Sequence, residues 1–387
     1  MRGALAALAL VLAPVLALGP AVAVPVPSAE AKPRTLRVGP DRALTTPSAA
    51  AAVARDGDTV LIDAGVYSGD VATWPQDDLT LRSVRSGKAV RAHLKAAGRH
   101  AQGKATWVIS GDRVRVEGIE FSGSVVPDRN GAGIRSEGTD LVVVRSWFHH
   151  NQMGLLTVAD DRSDIVVRDS RFFRNGAGDG LSHNLYVGAV RSLTVTGSWL
   201  WGASVGHQLK SRAARTTLLA NRFDDADGTG SYSVDLPNGG DALLVGNLVV
   251  QGPRSQNTGL VSYGAERLTH SSRRLRLVNN TFVNRQQVGT YLRLAAGSGA
   301  VLRNNLFHGP GALADRPVDA RANRRVGPRA FLAAGRGNFR LRKGSVAINR
   351  GVAVGRGARA RWEYAHPAHR VRRPVKGRVD LGAYERR

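Results

Sequence analysis

From residue 114 to residue 307 the chain repeats one pattern: a short run of alternating apolar and polar residues, a polar turn, and one large apolar residue. VRVEGIEF, LVVVRSWF, IVVRDSRF, LTVTGSWL, TTLLANRF, ALLVGNLV, LRLVNNTF and AVLRNNLF end on Phe121, Phe148, Phe172, Leu200, Phe223, Val249, Phe282 and Phe307, 23 to 33 residues apart. Alternation at period two is strand patterning, and no helical period appears between these runs. A repeat this short does not accommodate a helix pair, whereas it fits one coil of a single-stranded parallel β-helix, an all-β solenoid of about ten coils for this chain. Successive coils of such a solenoid stack about 4.8 Å apart. The large apolar residues then form an internal column, and Asn221, Asn247, Asn280 and Asn305 a second column at a recurrent turn. An irregular β-sandwich would leave this register unexplained.

The ends break the pattern. The first 31 residues carry one early arginine, an apolar run from Ala4 to Leu18, and small residues at Ala21, Ala23, Ala29 and Ala31. This is the pattern of a secretory signal peptide, with cleavage expected after Ala23 or Ala31. Pro14, Gly19 and Pro20 argue against a retained span, so a secreted, extracellular chain free of the membrane is expected once the leader is removed. Residues 32–354 are assigned to the β-helix, and 355–387, rich in Arg, Gly and Pro, to a loop and C-terminal cap. With no cysteine in the chain, a continuous core must hold it together without disulfides.

Composition adds a formal charge of +25 at pH 7. Such a surface attracts polyanions. Nucleic acid is disfavoured, because there is no recognition helix, no RNA-binding aromatic motif, and an export signal. An acidic polysaccharide suits both the charge and the location, and a monomer is expected. Most of the positive charge is arginine; Lys210 is the only lysine between Lys104 and Lys343.

Aligning the coils lays SHNLYVG (182–188), GHQLKSR (206–212) and YSVDLPNGG (232–240) over one another. His183 then stacks on His207 and Tyr186 on Lys210, with Arg212 beside Gly188, Ser233 and Asp235 in the same strip, and Tyr263 one coil later. With Leu185, Leu209 and Val234 inward, alternation sends Asn184, Tyr186, Gln208, Lys210, Ser233 and Asp235 outward. His183 and His207 fall on the inward register, as core or as catalytic residues. Gly188, Gly239 and Gly240 are expected to clear the surface for a ligand.

HNLYVG, GHQLKSRA, SVDLPNGG and VSYGAE, with DGDTVLIDAGVYSGDV (56–71) at one end and GSVAINRG (344–351) and VDLGAYE (379–385) at the other, resemble exported bacterial right-handed parallel β-helix proteins. This is the pectate-lyase-like, polysaccharide-lyase-like superfamily, and the resemblance covers residues 35–387. It implies a right-handed β-helix acting on polysaccharide, on a scaffold that hosts lyases, hydrolases, epimerases and binding proteins. Lyases of this kind use Lys or Arg as base, commonly with Ca²⁺ on the uronate carboxylate.

β-Elimination from a uronic acid requires a cation on the carboxylate, a base at C5 and an acid for the departing oxygen. Arg212 suits the first role, Lys210 the second, and Tyr186, His183 or His207 the third. Asn184, Gln208, Ser233, Asp235, Tyr263 and Arg135 are the expected substrate contacts. Asp224, Asp225 and Asp227 of DDADG are candidate Ca²⁺ ligands, with Asp235 and Asp241 as further oxygen donors, although such turns are commoner without metal. A hydrolase needs two carboxyl groups flanking the scissile bond, for which Asp179 and Asp235 are the available pair. A non-catalytic wall- or polysaccharide-binding solenoid needs only the charge.

Overall fold

The repeated runs pair into three all-parallel sheets of 12, 11 and 10 strands in the computed structural model, which describes residues 32–387. The expected leader lies outside the described residues. Sheet A runs from Thr35–Val38 to Asp319–Arg321, sheet B from Gly65–Ser68 to Arg324–Arg325, and sheet C from Ala72–Trp74 to Ala312–Ala314. The chain visits A, B and C in turn, so neighbours within each sheet come from successive coils. This is a right-handed parallel β-helix. Among the described residues the α-helix is the five-residue Pro47–Ala51, and no helix there is long and apolar enough to cross a membrane.

The aromatic repeat is the core of sheet B. Phe121, Phe148, Phe172, Leu200, Phe223, Val249, Phe282 and Phe307 pair each with the next in register. Phe121 and Phe148 stack at 5.1 Å and 9°, Phe148 and Phe172 at 4.6 Å and 7°. Rings in this arrangement bury large apolar area and exclude water from the solenoid's centre.

A polar column runs beside them at the turn from A to B. The backbone N–H of Asn221 donates to Asn247 Oδ1, that of Asn247 to Asn280, that of Asn280 to Asn305 and that of Asn305 to Asn323, at 2.8 to 2.9 Å. Asparagine suits the place because its amide accepts from one coil while donating to a backbone carbonyl that the turn leaves open. Ser146, Ser170 and Ser198 continue the column upstream, with the hydroxyl as acceptor.

Parallel pairing stops at Arg325, before the expected boundary at 354. Beyond it, Phe331–Ala333 and Asn338–Leu341 form one antiparallel hairpin, and Trp362–Ala365 and His369–Arg372 another. Phe331, Phe339 and Leu341 pack with Leu306 and Tyr384 in a cluster separate from the main core, closing the last coils. The expected C-terminal loop is tied down as well: Asn279 Nδ2 donates to Asp380 O at 2.8 Å, and the buried Arg373 pairs with Glu385 at 2.8 Å.

Candidate functional site

Sheet C positions the strip through three short strands, Leu185–Val187, Leu209–Ser211 and Val234–Leu236. Tyr186 pairs in register with Lys210, Lys210 with Asp235, and Asp235 with Ser262. Leu185, Leu209 and Val234 are fully buried, so the residues that follow them, Tyr186, Lys210 and Asp235, lie on the opposite face of the sheet, as alternation requires, although Asp235 is itself covered and buried there. Arg135 belongs to the same row, with Leu156 between it and Tyr186. It lies 3.7 Å from Glu137.

Arg212 follows the second strand. Its Nε–H donates to Tyr186 Oη at 2.7 Å and Nη1 to Asn238 Oδ1 at 2.6 Å. The Lys210 ammonium lies 5.6 Å from the centre of the Tyr186 ring. A single carboxylate spans both cations: Glu266 Oε1 is 2.8 Å from Lys210 Nζ, and Glu266 Oε2 is 2.6 Å from Arg212 Nη2. Partial burial opposes ionisation of Glu266, but its hydrogen bonds to Lys210 and Arg212 prevail and hold the carboxyl below the ordinary range. The Glu266 side chain is 46% exposed and that of Lys210 12%, so the glutamate lies over the lysine. Its loop is pinned to the site, with the Glu266 N–H donating to Pro237 O at 3.2 Å and His270 Nε2 to Arg212 O at 2.9 Å. Sequence reasoning missed Glu266, although it ends the quoted VSYGAE.

His183 and His207 stack at 4.6 Å and 10°. The His207 backbone N–H donates to His183 Nδ1 at 3.0 Å, and the Tyr232 N–H to His207 Nδ1 at 3.2 Å. Burial, reinforced by the Lys210 ammonium, pushes the His207 imidazole down to about 3. Burial and then the neighbouring His207 push His183 down as well. Both rings are therefore neutral near pH 7, and since each Nδ1 accepts a backbone N–H, each Nε2 carries the proton. His207 Nε2 is 3.5 Å from Asp235 Oδ2, which also lies 3.8 Å from Lys210 Nζ. Burial raises the Asp235 carboxyl above its ordinary range.

Four expected contacts are corrected. Asn184, Gln208 and Ser233 each sit one residue before their strand, where the chain is still turning, so period-two alternation does not reach them. All three are buried. Asn184 Nδ2 donates to Gln208 Oε1 at 2.6 Å, and Gln208 Nε2 to Asp225 Oδ1 at 3.0 Å, in a second polar column at the turn from B to C. Tyr263 pairs with the inward Leu236, and it is a core residue whose hydroxyl donates to Gly240 O. The glycines also have another cause. A Cβ at Gly188 would meet Val158 O at 2.6 Å, and Gly239 and Gly240 have φ of +74° and +97°, so neighbouring backbone and turn geometry require them rather than a ligand.

Two of the three DDADG carboxylates are taken up by protein groups. Asp224 is paired with Arg222 at 2.5 Å, and Asp225 is buried and accepts from Gln208 and Ser255. Asp227 is exposed. Asp241 is held by Arg274 and Arg276 at 3.1 and 2.9 Å, and Asp235 by the lysine of the strip. The hydrolase pair is likewise divided, since Asp179 Oδ1 caps its own turn through Leu181 N, Ser182 N and Ser182 Oγ. A hollow of about 540 Å³ lies elsewhere, on sheet B between Trp199, Trp201, Arg222 and Arg336, and no strip residue lines it.

No protein-family model and no curated protein matches the sequence. Among solved structures the chain is similar to pectate lyase Pel9A, with a TM-score of 0.66 and 16% identity over 92% of this chain and 96% of that one. It is also similar to an alginate lyase from Paenibacillus sp. str. FPU-7, with a TM-score of 0.54 and 13% identity over 74% and 99% of the two chains. Together with the three parallel sheets, these likenesses establish the pectate-lyase-like β-helix as the fold.

Proposed function

We propose that the strip of Tyr186, Lys210 and Arg212 cleaves an acidic, uronic-acid-containing polysaccharide by β-elimination. The observation that carries this reading is the Glu266 carboxylate held between Lys210 and Arg212. Two cations that grip one carboxylate of the chain are spaced to grip a uronate carboxylate in its place. The two solved neighbours, by name a pectate lyase and an alginate lyase, support the same substrate class.

On this reading substrate displaces Glu266. Arg212 takes the uronate carboxylate and stabilises the charge that develops on it as the C5 proton leaves. Lys210 first gives its ammonium proton to solvent, leaving the uronate carboxylate to Arg212, and then accepts the C5 proton; the C5–H electron pair becomes the C4–C5 double bond, and the C4–O bond breaks. Tyr186 gives its hydroxyl proton to the departing oxygen. That proton is free to leave because Tyr186 Oη accepts, and does not donate, in its bond with Arg212. His183 and His207 are poor bases here: Nδ1 is engaged by a backbone N–H and Nε2 already holds a proton. They act as positioning residues beneath the strip. No step is assigned to calcium, and action outside the cell follows from the expected leader and the polymeric substrate.

The test is a panel of polygalacturonate, alginate and a glycosaminoglycan, assayed with and without chelator for the ultraviolet absorbance of the unsaturated product. Absorbance that grows with enzyme concentration supports elimination. New reducing ends without absorbance would assign a hydrolase, and retention on polymer with neither product a binding solenoid.

A further inference from the structure

Sheet B carries a group of side chains that the proposed reaction does not use. His93 pairs in register with Glu120, and Glu120 with Trp147, two residues before His149 on the next strand. The three side chains thus stand on successive coils, partly exposed, and one ligating atom from each lies within 4.8 Å of the others. His149 Nε2 is 3.0 Å and His93 Nδ1 3.8 Å from Glu120 Oε1.

The remaining nitrogens are already directed away from that point. His93 Nε2 is 2.7 Å from Ser122 Oγ, and His149 Nδ1 is 2.8 Å from His150 Nδ1. The His149 ring is held by stacking on Phe173 at 4.7 Å and 14°. Metal-binding histidines characteristically have their second nitrogen fixed by such a partner, which sets the tautomer and aims the first. In a tetrahedral site with bonds of about 2.0 to 2.1 Å, ligand atoms stand roughly 3.4 Å apart. Two separations in this group are close to that value, and the third, between the two imidazoles, lies within 4.8 Å.

We propose that His93, Glu120 and His149 bind one divalent first-row transition ion of the zinc class, tying together three coils near the N-terminal end. Two imidazoles and one carboxylate suit zinc, cobalt or nickel and not calcium or magnesium, which take oxygen. In a chain without cysteine the ion supplies a cross-coil link. Arg91 and Lys95 are the cations near the group; Arg91 stacks on the Trp147 ring at 4.0 Å, and both oppose the ion's charge and moderate its affinity.

The site is independent of the reaction and is read without activity. The full mature protein, stripped with chelator, is titrated with Zn²⁺ by calorimetry and with Co²⁺ by visible absorption. One equivalent is expected to bind with the absorption of a four-coordinate Co²⁺ site, and Zn²⁺ to raise the melting temperature. Glu120→Gln and His93→Asn, each at a partly exposed position, should weaken binding at least about 100-fold and remove the melting shift, while His150→Ala should weaken it less, roughly 10-fold. The proposal is overturned if the wild type binds no stoichiometric ion, or if both site variants bind as the wild type does, which would place the ion on other histidines.

Discussion

Replacing Glu266 by glutamine tests the central geometry with little change of shape. The glutamate makes two ion pairs, at 2.8 Å to Lys210 and 2.6 Å to Arg212, with 46% of its own side chain exposed. Pairs with one partner this exposed are worth about 0.5 to 1 kcal/mol each after solvent screening. An incoming uronate must displace both, so the glutamate opposes binding by roughly 1 to 2 kcal/mol, a factor of about 5 to 30. Glu266→Gln should therefore lower KM on the polyuronate that the panel identifies by about 5- to 30-fold, with kcat within about threefold of wild type. Initial rates from the ultraviolet absorbance give both constants, and the advantage should shrink at high salt as the pairs are screened. An unchanged or higher KM would mean that the two cations do not receive the substrate carboxylate. A collapse of kcat with KM unchanged would place Glu266 in the chemistry itself.

Lys210→Arg keeps charge and polyanion binding but should lose at least about 10²-fold in turnover, because a guanidinium does not give up its proton; near-normal rates would remove Lys210 as the base. Arg212→Ala should raise KM and lower kcat together, whereas Tyr186→Phe should lower kcat alone, a split that steady-state kinetics resolves. Phe172→Ala removes a ring stacked 4.6 Å from Phe148 and should cost roughly 3 to 5 kcal/mol in denaturant unfolding. Asp225 is pushed up to about 6 by burial, so the native state holds this proton more tightly than the unfolded chain. Its penalty is then fully present above pH about 6 and relieved as pH falls toward about 4, and Asp225→Asn should raise the unfolding free energy at pH 7 to 8 by no more than about 3 kcal/mol, read by denaturant unfolding, and flatten the change between pH 4 and 6.

The fold was legible because a solenoid writes its contacts into a sequence period. Phe121, Phe148 and Phe172 are spaced by coil length, and each touches the next, so a one-dimensional repeat is already a contact map. The row of Tyr186, Lys210 and Asp235 was legible for the same reason, since all three lie inside strands, where direction alternates strictly. One residue outside a strand the rule fails. Asn184, Gln208 and Ser233 carry the polarity of a binding surface, but a turn buries them, and the requirement to satisfy buried amides selects the same residue types that recognise a sugar. Tyr263 failed through register, because a loop of different length displaced the alignment by one position and turned the residue to the other face.

Glu266 was not legible because nothing in its own neighbourhood marks it. It arrives from a loop 56 residues beyond Lys210, and only the coil-on-coil stacking of sheet C brings it over the lysine and Arg212. The same stacking explains why a lysine stands alone at this row. Lys210 sits between Tyr186 and Asp235 with Glu266 above, so three neighbouring groups meet one ammonium within 5.6 Å. The proposed reaction supplies a reason for the residue type: of the two cations that face Glu266, Lys210 is the one whose side chain can serve in turn as cation and as base.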